Sequence, residues 1–269
     1  MSPSGPRHEA EQAEQMVMDE DGTAPAKTPR LRRWVGMRRR RTPIPWLLSG
    51  WFSRIVGSVE AVGVEHIPPE GAPCIVAFNH PSRYDGVLVF AVIPRHDVAT
   101  LVTGKMRRFP VRKLLVEIAG GVWVEPGGSE DTIQTMLDLA TAGWALMLAP
   151  EGQTTGGDGL VSGKRGVGFL ALHAGVPVVP AAVSGSAGAR LWRWPPGQMR
   201  ARILFGEPFN LPPLKPEHLR DQERQATDGV MCRIAALLPR EERGVYTETV
   251  CAGTEQWLAA INDETGSGG

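Results

Sequence analysis

From about residue 59 onward, short apolar runs alternate with segments of helical periodicity, which restricts the chain to a sheet covered by helices. The runs at 72–78, 98–103, 121–124, 145–148, 176–183 and 202–205 are too short for helices. Several are also too continuously apolar for strands with one wetted face, as expected when helices cover both faces of a largely parallel sheet. Between them, 83–92, 105–118, 129–142, 164–174 and 216–238 have the spacing of helices. The expected fold class is α/β, with a central, mostly buried sheet flanked by helices. An apolar fraction of 42% in 269 residues is enough to build such a core. No internal repeat is present.

The flanking segments differ from this middle. Residues 1–43 are polar, with an acidic start (Glu9, Glu11, Glu14, Asp19, Glu20, Asp21) followed by a basic block (Lys27, Arg30, Arg32, Arg33, Arg38 to Arg41). Such a segment cannot bury enough apolar surface to fold alone and reads as a disordered tail ending in a basic arm. Residues 44–57 place Trp46, Trp51, Phe52, Ile55 and Val56 on one face of an amphipathic helix, either interfacial or docked on the core. Tryptophans beside an arginine cluster suit anionic lipid, so residues 27–57 are the expected membrane contact, and no nucleic acid is expected as partner. The main domain then spans 58–240. Residues 241–269 form a helical extension and a flexible Gly-Ser tail.

Net charge is zero, from 29 basic and 29 acidic residues, so bulk electrostatics selects no partner. Cys74, Cys232 and Cys251 show neither a disulfide framework nor zinc spacing, and a reducing compartment is expected. No secretory signal is visible, and no run reaches the roughly 18 apolar residues of a membrane span. The expected location is cytoplasmic, peripherally on the inner face of the membrane.

The densest polar signal is Phe78-Asn79-His80-Pro81-Ser82-Arg83-Tyr84-Asp85-Gly86, at the exit of a buried strand. Five positions on one helix would set His80 and Asp85 roughly 140° apart, too far to pair. With His80 in the turn and Asp85 in the first helical turn, the carboxylate can fold back on the imidazole; Pro81 and Ser82 favour a helix start there. A carboxylate on one ring nitrogen fixes the tautomer and leaves the other nitrogen to take a proton from a hydroxyl. The bland alternative is that Ser82 and Asp85 are no more than a capping pair.

Downstream lie Leu148-Ala149-Pro150-Glu151-Gly152-Gln153-Thr154-Thr155, then Lys164-Arg165-Gly166, then Gly175-Val176-Pro177-Val178-Val179-Pro180. In order and spacing, over roughly residues 58 to 210, these blocks resemble the glycerolipid acyltransferase family, which includes the 1-acylglycerol-3-phosphate acyltransferases. The resemblance implies a glycerol-3-phosphate acyltransferase-like fold and transfer of a fatty acyl group to a lipid hydroxyl. It makes His80 the general base and Asp85 its partner. Asn79, Ser82, Lys105, Glu151, Gly152 and Lys164 would bind substrate or shape the site. Acyl-coenzyme A or acyl-carrier protein would be co-substrate, with no metal and no further cofactor. For the oxyanion of the transition state, backbone N–H groups of the Asn79–Ser82 turn or beside Gly152 are the candidates.

Two departures bear on the acceptor. Glu125 and Pro126 stand where the family's second block has an acid and an arginine, and Gln153-Thr154 stands for Thr-Arg in the third. Those arginines are associated in the family with the acceptor's phosphate, so lysophosphatidic acid is in doubt. Lys105, Arg107, Arg108, Lys164 and Arg165 are possible replacements. A non-catalytic lipid- or acyl-CoA-binding relative is the competing class. Ser162-Gly163-Lys164-Arg165 and Ser184-Gly185-Ser186-Ala187-Gly188 approach a phosphate loop and a nucleophile elbow, but each lacks a required residue.

Overall fold

The computed structural model describes residues 57–104, 108–110, 113, 116, 121–124, 130–188, 199–214 and 219–266. In chain order the elements are β1 (Gly57–Val62), β2 (Cys74–Phe78), α1 (Asp85–Val92), β3 (Val98–Thr103), β4 (Gly121–Val124), α2 (Glu130–Thr141), β5 (Ala145–Leu148), α3 (Gly166–Ala174), β6 (Val178–Ser184), β7 (Met199–Phe205), α4 (Leu219–Leu237) and α5 (Glu248–Gly266). Among the described residues the strands form one sheet in the order β1-β7-β6-β2-β5-β3-β4. Neighbours are parallel except β6 and β7, so β6, β2, β5, β3 and β4 run one way and β7 with β1 the other.

Every residue of β2 and β5 is buried, because helices cover both faces. On one face Ile75, Ala77, Leu146 and Val178 pack with Met136 and Leu139 of α2, Leu170 of α3, and Val230 and Ile234 of α4. On the other, Val76, Phe78, Met147 and Val179 meet Leu88 and Val89 of α1. Strand β7, between β1 and β6, alternates buried residues with exposed or half-buried ones. The mostly buried α/β sheet is thus as expected, and its strands and helices fall within a few residues of their predicted positions.

Three expectations need comment. Gly57, assigned to the end of the 44–57 helix, instead opens β1, an edge strand that the apolar pattern had not marked; the rest of that helix lies outside the described residues. So do the 1–43 tail and most of the 105–118 helix. The cysteine reading is corrected: Cys232 and Cys251 form a disulfide between α4 and α5, their Cα atoms 5.3 Å apart. Packing of α4 against α5 creates the proximity, which the scattered spacing conceals. The argument for a reducing compartment from unpaired cysteines falls with it. Cys74 remains free and buried, and burial pushes its thiol up to about 11, which leaves it inert near neutral pH.

A sealed ion pair ties the N-terminal ends of β2, β3 and β5. Arg95 Nε and Nη2 donate to Asp97 Oδ1 and Oδ2 at 2.8 and 2.9 Å. Its remaining bonds go to the carbonyls of Pro68, Ala72 and Gly143 and to the Cys74 sulfur. Asp97 Oδ2 also accepts the Gly71 amide at 2.7 Å. Both side chains are buried, and the donors and acceptors around them satisfy both charges.

Candidate active site

The opposite, C-terminal edge of the sheet is where an α/β architecture leaves loops free to build a site. His80 follows β2, Glu151 follows β5 and Ser186 follows β6, all parallel neighbours, so three distant chain segments converge there.

At the exit of β2, Asn79 extends the sheet pairing through its side chain. Its Nδ2 donates to Val183 O at 2.9 Å and its Oδ1 accepts from Val183 N at 2.6 Å. The chain then turns at His80-Pro81-Ser82 and enters α1 with Asp85 in the first helical turn, where the helix dipole favours a carboxylate. His80 Nδ1 lies 3.2 Å from Asp85 Oδ2. The same oxygen accepts the Ser82 amide at 2.5 Å. The capping reading and the histidine-pairing reading are therefore both realised, by one carboxylate. Asp85 is fully buried, whereas the His80 side chain keeps 22% of its exposure. Since a carboxylate only accepts, Nδ1 carries the hydrogen and Nε2 holds a lone pair. Among the described residues Nε2 has no protein partner.

The other oxygen of Asp85 was not foreseen to have a partner. Ser186 Oγ donates to Oδ1 at 2.6 Å across 101 residues of sequence, and Ser186 is fully buried. The Ser-Gly-Ser segment had drawn notice only as a failed nucleophile motif. Its position just beyond a strand parallel to β2 was the signal that could have found it.

Glu151 is buried and bridges two backbone amides: His80 N donates to Oε2 at 2.8 Å and Val161 N to Oε1 at 3.1 Å. Burial pushes its carboxyl above the usual range, opposed by those two amides and by the nearby imidazole, and reinforced by Asp85. Thr155 N donates to His80 O at 3.0 Å, closing the turn from the other side. Gly152 adopts φ +61°, and a Cβ there would lie 2.7 Å from Lys164 Nζ. Lys164 is exposed, its Nζ 3.5 Å from Gly152 O and its backbone N bonded to Pro150 O at 2.8 Å.

His80, Asp85, Asn79, Ser82, Glu151, Gly152 and Lys164 are thus brought together, and Lys105 lies outside the described residues. Asn79, Ser82 and Glu151, expected to meet substrate, are buried and bond to backbone instead. Three of the amides considered for an oxyanion are also occupied: His80 N by Glu151, Ser82 N by Asp85, and Gly152 N by Ala149 O at 3.0 Å. Such an arrangement can draw a proton from a hydroxyl at Nε2 and hold the resulting imidazolium against a buried carboxylate.

Comparison with known proteins finds similarity to acyltransferases. The Acyltransferase family model matches residues 58–184. The 1-acyl-sn-glycerol-3-phosphate acyltransferase of Haemophilus influenzae is 27% identical over 203 residues, 71% of this chain and 82% of that one. The lyso-ornithine lipid O-acyltransferase of Pseudomonas aeruginosa is 29% identical over 163 residues, 57% of this chain and 62% of that one, short of two thirds of its length. The 1-acyl-sn-glycerophosphate (LPA) acyltransferase PlsC of Thermotoga maritima shares the fold, with a TM-score of 0.53, 18% identity, and coverage of 94% of this chain and 89% of that one. Over residues 58–184 the chain thus matches the acyltransferase family, and it is similar to 1-acyl-sn-glycerol-3-phosphate acyltransferases.

Proposed function

We propose that this enzyme transfers a fatty acyl group from acyl-coenzyme A or acyl-carrier protein to a lipid hydroxyl, with His80 as general base. The observation that carries the reading is the one-sided pairing of His80, its Nδ1 on buried Asp85 and its Nε2 without a partner among the described residues. Nε2 takes the hydroxyl proton as the oxygen attacks the thioester carbonyl. The tetrahedral oxyanion then collapses, the C–S bond breaks, and the departing thiolate takes the proton back from the imidazolium. The thioester is already activated, so the reaction needs no metal or further cofactor.

In this reading Asp85 fixes the tautomer and Ser186 fixes Asp85. Asn79, Ser82 and Glu151 hold the turn. Lys164, exposed beside Gly152, meets the anionic part of a substrate. The acceptor is a lipid hydroxyl such as that of a lysophospholipid. With Gln153 and Thr154 exposed where the family has Thr-Arg, an acceptor with a different or uncharged head group is the alternative. One relative is named for lyso-ornithine lipid, which favours keeping that alternative. No helix among the described residues is long and apolar enough to cross a membrane. Access to a lipid acceptor then falls to the basic and aromatic segment 27–57, acting at the membrane surface.

The test is thiol release from palmitoyl-coenzyme A with lysophosphatidic acid, lyso-ornithine lipid, lysophospholipids with larger heads, and uncharged lipid alcohols. Acceptor-dependent thiol release with the matching acylated product is expected. Binding of acyl-CoA without turnover on any acceptor would establish a non-catalytic relative instead.

A further inference from the structure

Outside the His80 corner, a second set of polar contacts ends on the same glutamate. The loop after β5 runs from Glu151 to Lys164, and Val161 within it supplies the amide bound by Glu151 Oε1. Leu160 and Gly163, on either side of Val161, are held by the segment that links α4 to α5. Leu160 N donates to Glu242 O, and Val245 N donates to Leu160 O, each at 3.1 Å. On the other side Gly163 N donates to the Tyr246 hydroxyl, which donates to Asp228 Oδ1 of α4, each at 2.9 Å. Arg224 joins the set, with Nη2 on Ser162 Oγ and Nε on Asp228 Oδ2, both at 2.9 Å. Tyr246 and Leu160 are buried, and the backbones meet so closely that a Cβ on Gly244 would fall 2.0 Å from Leu160 O. The Cys232–Cys251 disulfide holds the helices on either side of this segment together.

We propose that the segment 240–246, with Tyr246 as its central contact, is a positioning device for the catalytic histidine. It fixes Val161, Val161 and His80 share the Glu151 carboxylate, and the His80 backbone is thereby held in register with Asp85. The proposal rests on the general-base reading of His80. The tyrosine never approaches substrate; it acts through Gly163, Val161 and Glu151 in turn. Losing the Val161 bond leaves the burial of Glu151 less opposed, so its carboxyl moves further above the usual range. Proton uptake by Glu151, and loss of the His80 amide bond with it, then begins at a higher pH.

Tyr246→Phe keeps the ring in the core and removes only the hydroxyl. Its kcat should fall about 3- to 10-fold, as one or two hydrogen bonds are lost, with KM within about twofold and the acid limb of the pH–rate profile displaced upward. The assay is transfer from palmitoyl-coenzyme A to whichever acceptor of the screen the wild type uses. Amide hydrogen exchange on the full chain, which needs no activity, should quicken both at 160–163 and in the peptide containing His80. Gly244→Ala, which pushes the same segment off Leu160, should act in the same direction. Quicker exchange at 160–163 alone in either variant, or an unchanged pH profile with a folded Tyr246→Phe protein, would overturn the proposal. Inactivity of the wild type would instead count against the acyl-transfer reading and leave the exchange result to decide this one.

Discussion

The two ends of β2 each carry a buried aspartate with a cationic or potentially cationic partner, and they are built to opposite purposes. At the N-terminal end Asp97 meets Arg95, both side chains sealed, with the remaining guanidinium bonds on carbonyls and the Cys74 sulfur. At the C-terminal end Asp85 is equally buried, but its partner is an imidazole that stays partly exposed and has one nitrogen without a partner among the described residues. A guanidinium keeps its proton at any ordinary pH, so the first pair can only hold strands together. An imidazole can gain and lose a proton near neutrality, so the second can pass one on. The contrast teaches that a buried carboxylate signals little by itself. What separates a strut from a catalytic pair is whether the partner can titrate and whether it faces outward.

Substitutions at the two ends should separate rate from stability. Asp85→Asn should have the largest effect, lowering kcat by about 100- to 1,000-fold through loss of the fixed tautomer while a thermal scan still shows a folded protein. A near-wild-type rate would make the two ends equivalent struts. Arg95→Met should do the reverse, costing about 3–5 kcal/mol in urea unfolding because Asp97 is left buried and unpaired. Molecules that remain folded should keep close to the wild-type kcat.

Glu151→Gln should lower kcat about 10-fold, since the carboxamide turns one N–H donor toward a backbone N–H. Its pH profile sharpens the comparison. Burial raises the wild-type Glu151 carboxyl, so it takes up a proton at a higher pH than an ordinary glutamate, and activity should fall on that side as pH drops. The glutamine variant cannot take up that proton, so the part of the acid limb due to Glu151 should be missing from its profile. Ser186→Ala should be the mildest, about 3- to 5-fold in kcat with KM unchanged, as one bond to a buried carboxylate is lost. Equal changes in kcat and KM would place Ser186 outside the proton-transfer path.

The catalytic corner was legible because its parts are local. Asn79, His80, Ser82 and Asp85 sit within one strand-to-helix turn, and their spacing admits one geometry in which the two side chains meet. The central strands were legible because burial on both faces leaves a continuous apolar run, as in Cys74–Phe78. What stayed hidden depends on the third dimension. Ser186 reaches Asp85 only because β6 lies beside β2, and Tyr246 reaches Gly163 only because the chain returns after α4. β1 alternates buried and exposed residues weakly and follows a segment that looked helical. The disulfide joins residues on two helices whose packing no spacing rule expresses. Glu151 was found, but its work on two backbone amides was hidden behind a motif that suggested substrate.

The most direct measurement is kcat/KM of His80→Ala beside wild type on one acceptor, with a thermal midpoint for each. A proton-accepting imidazole predicts a loss of about 10²- to 10⁴-fold at an unchanged midpoint. Retention of more than about a tenth of the wild-type rate by the folded variant would show that the hydroxyl proton leaves by another route.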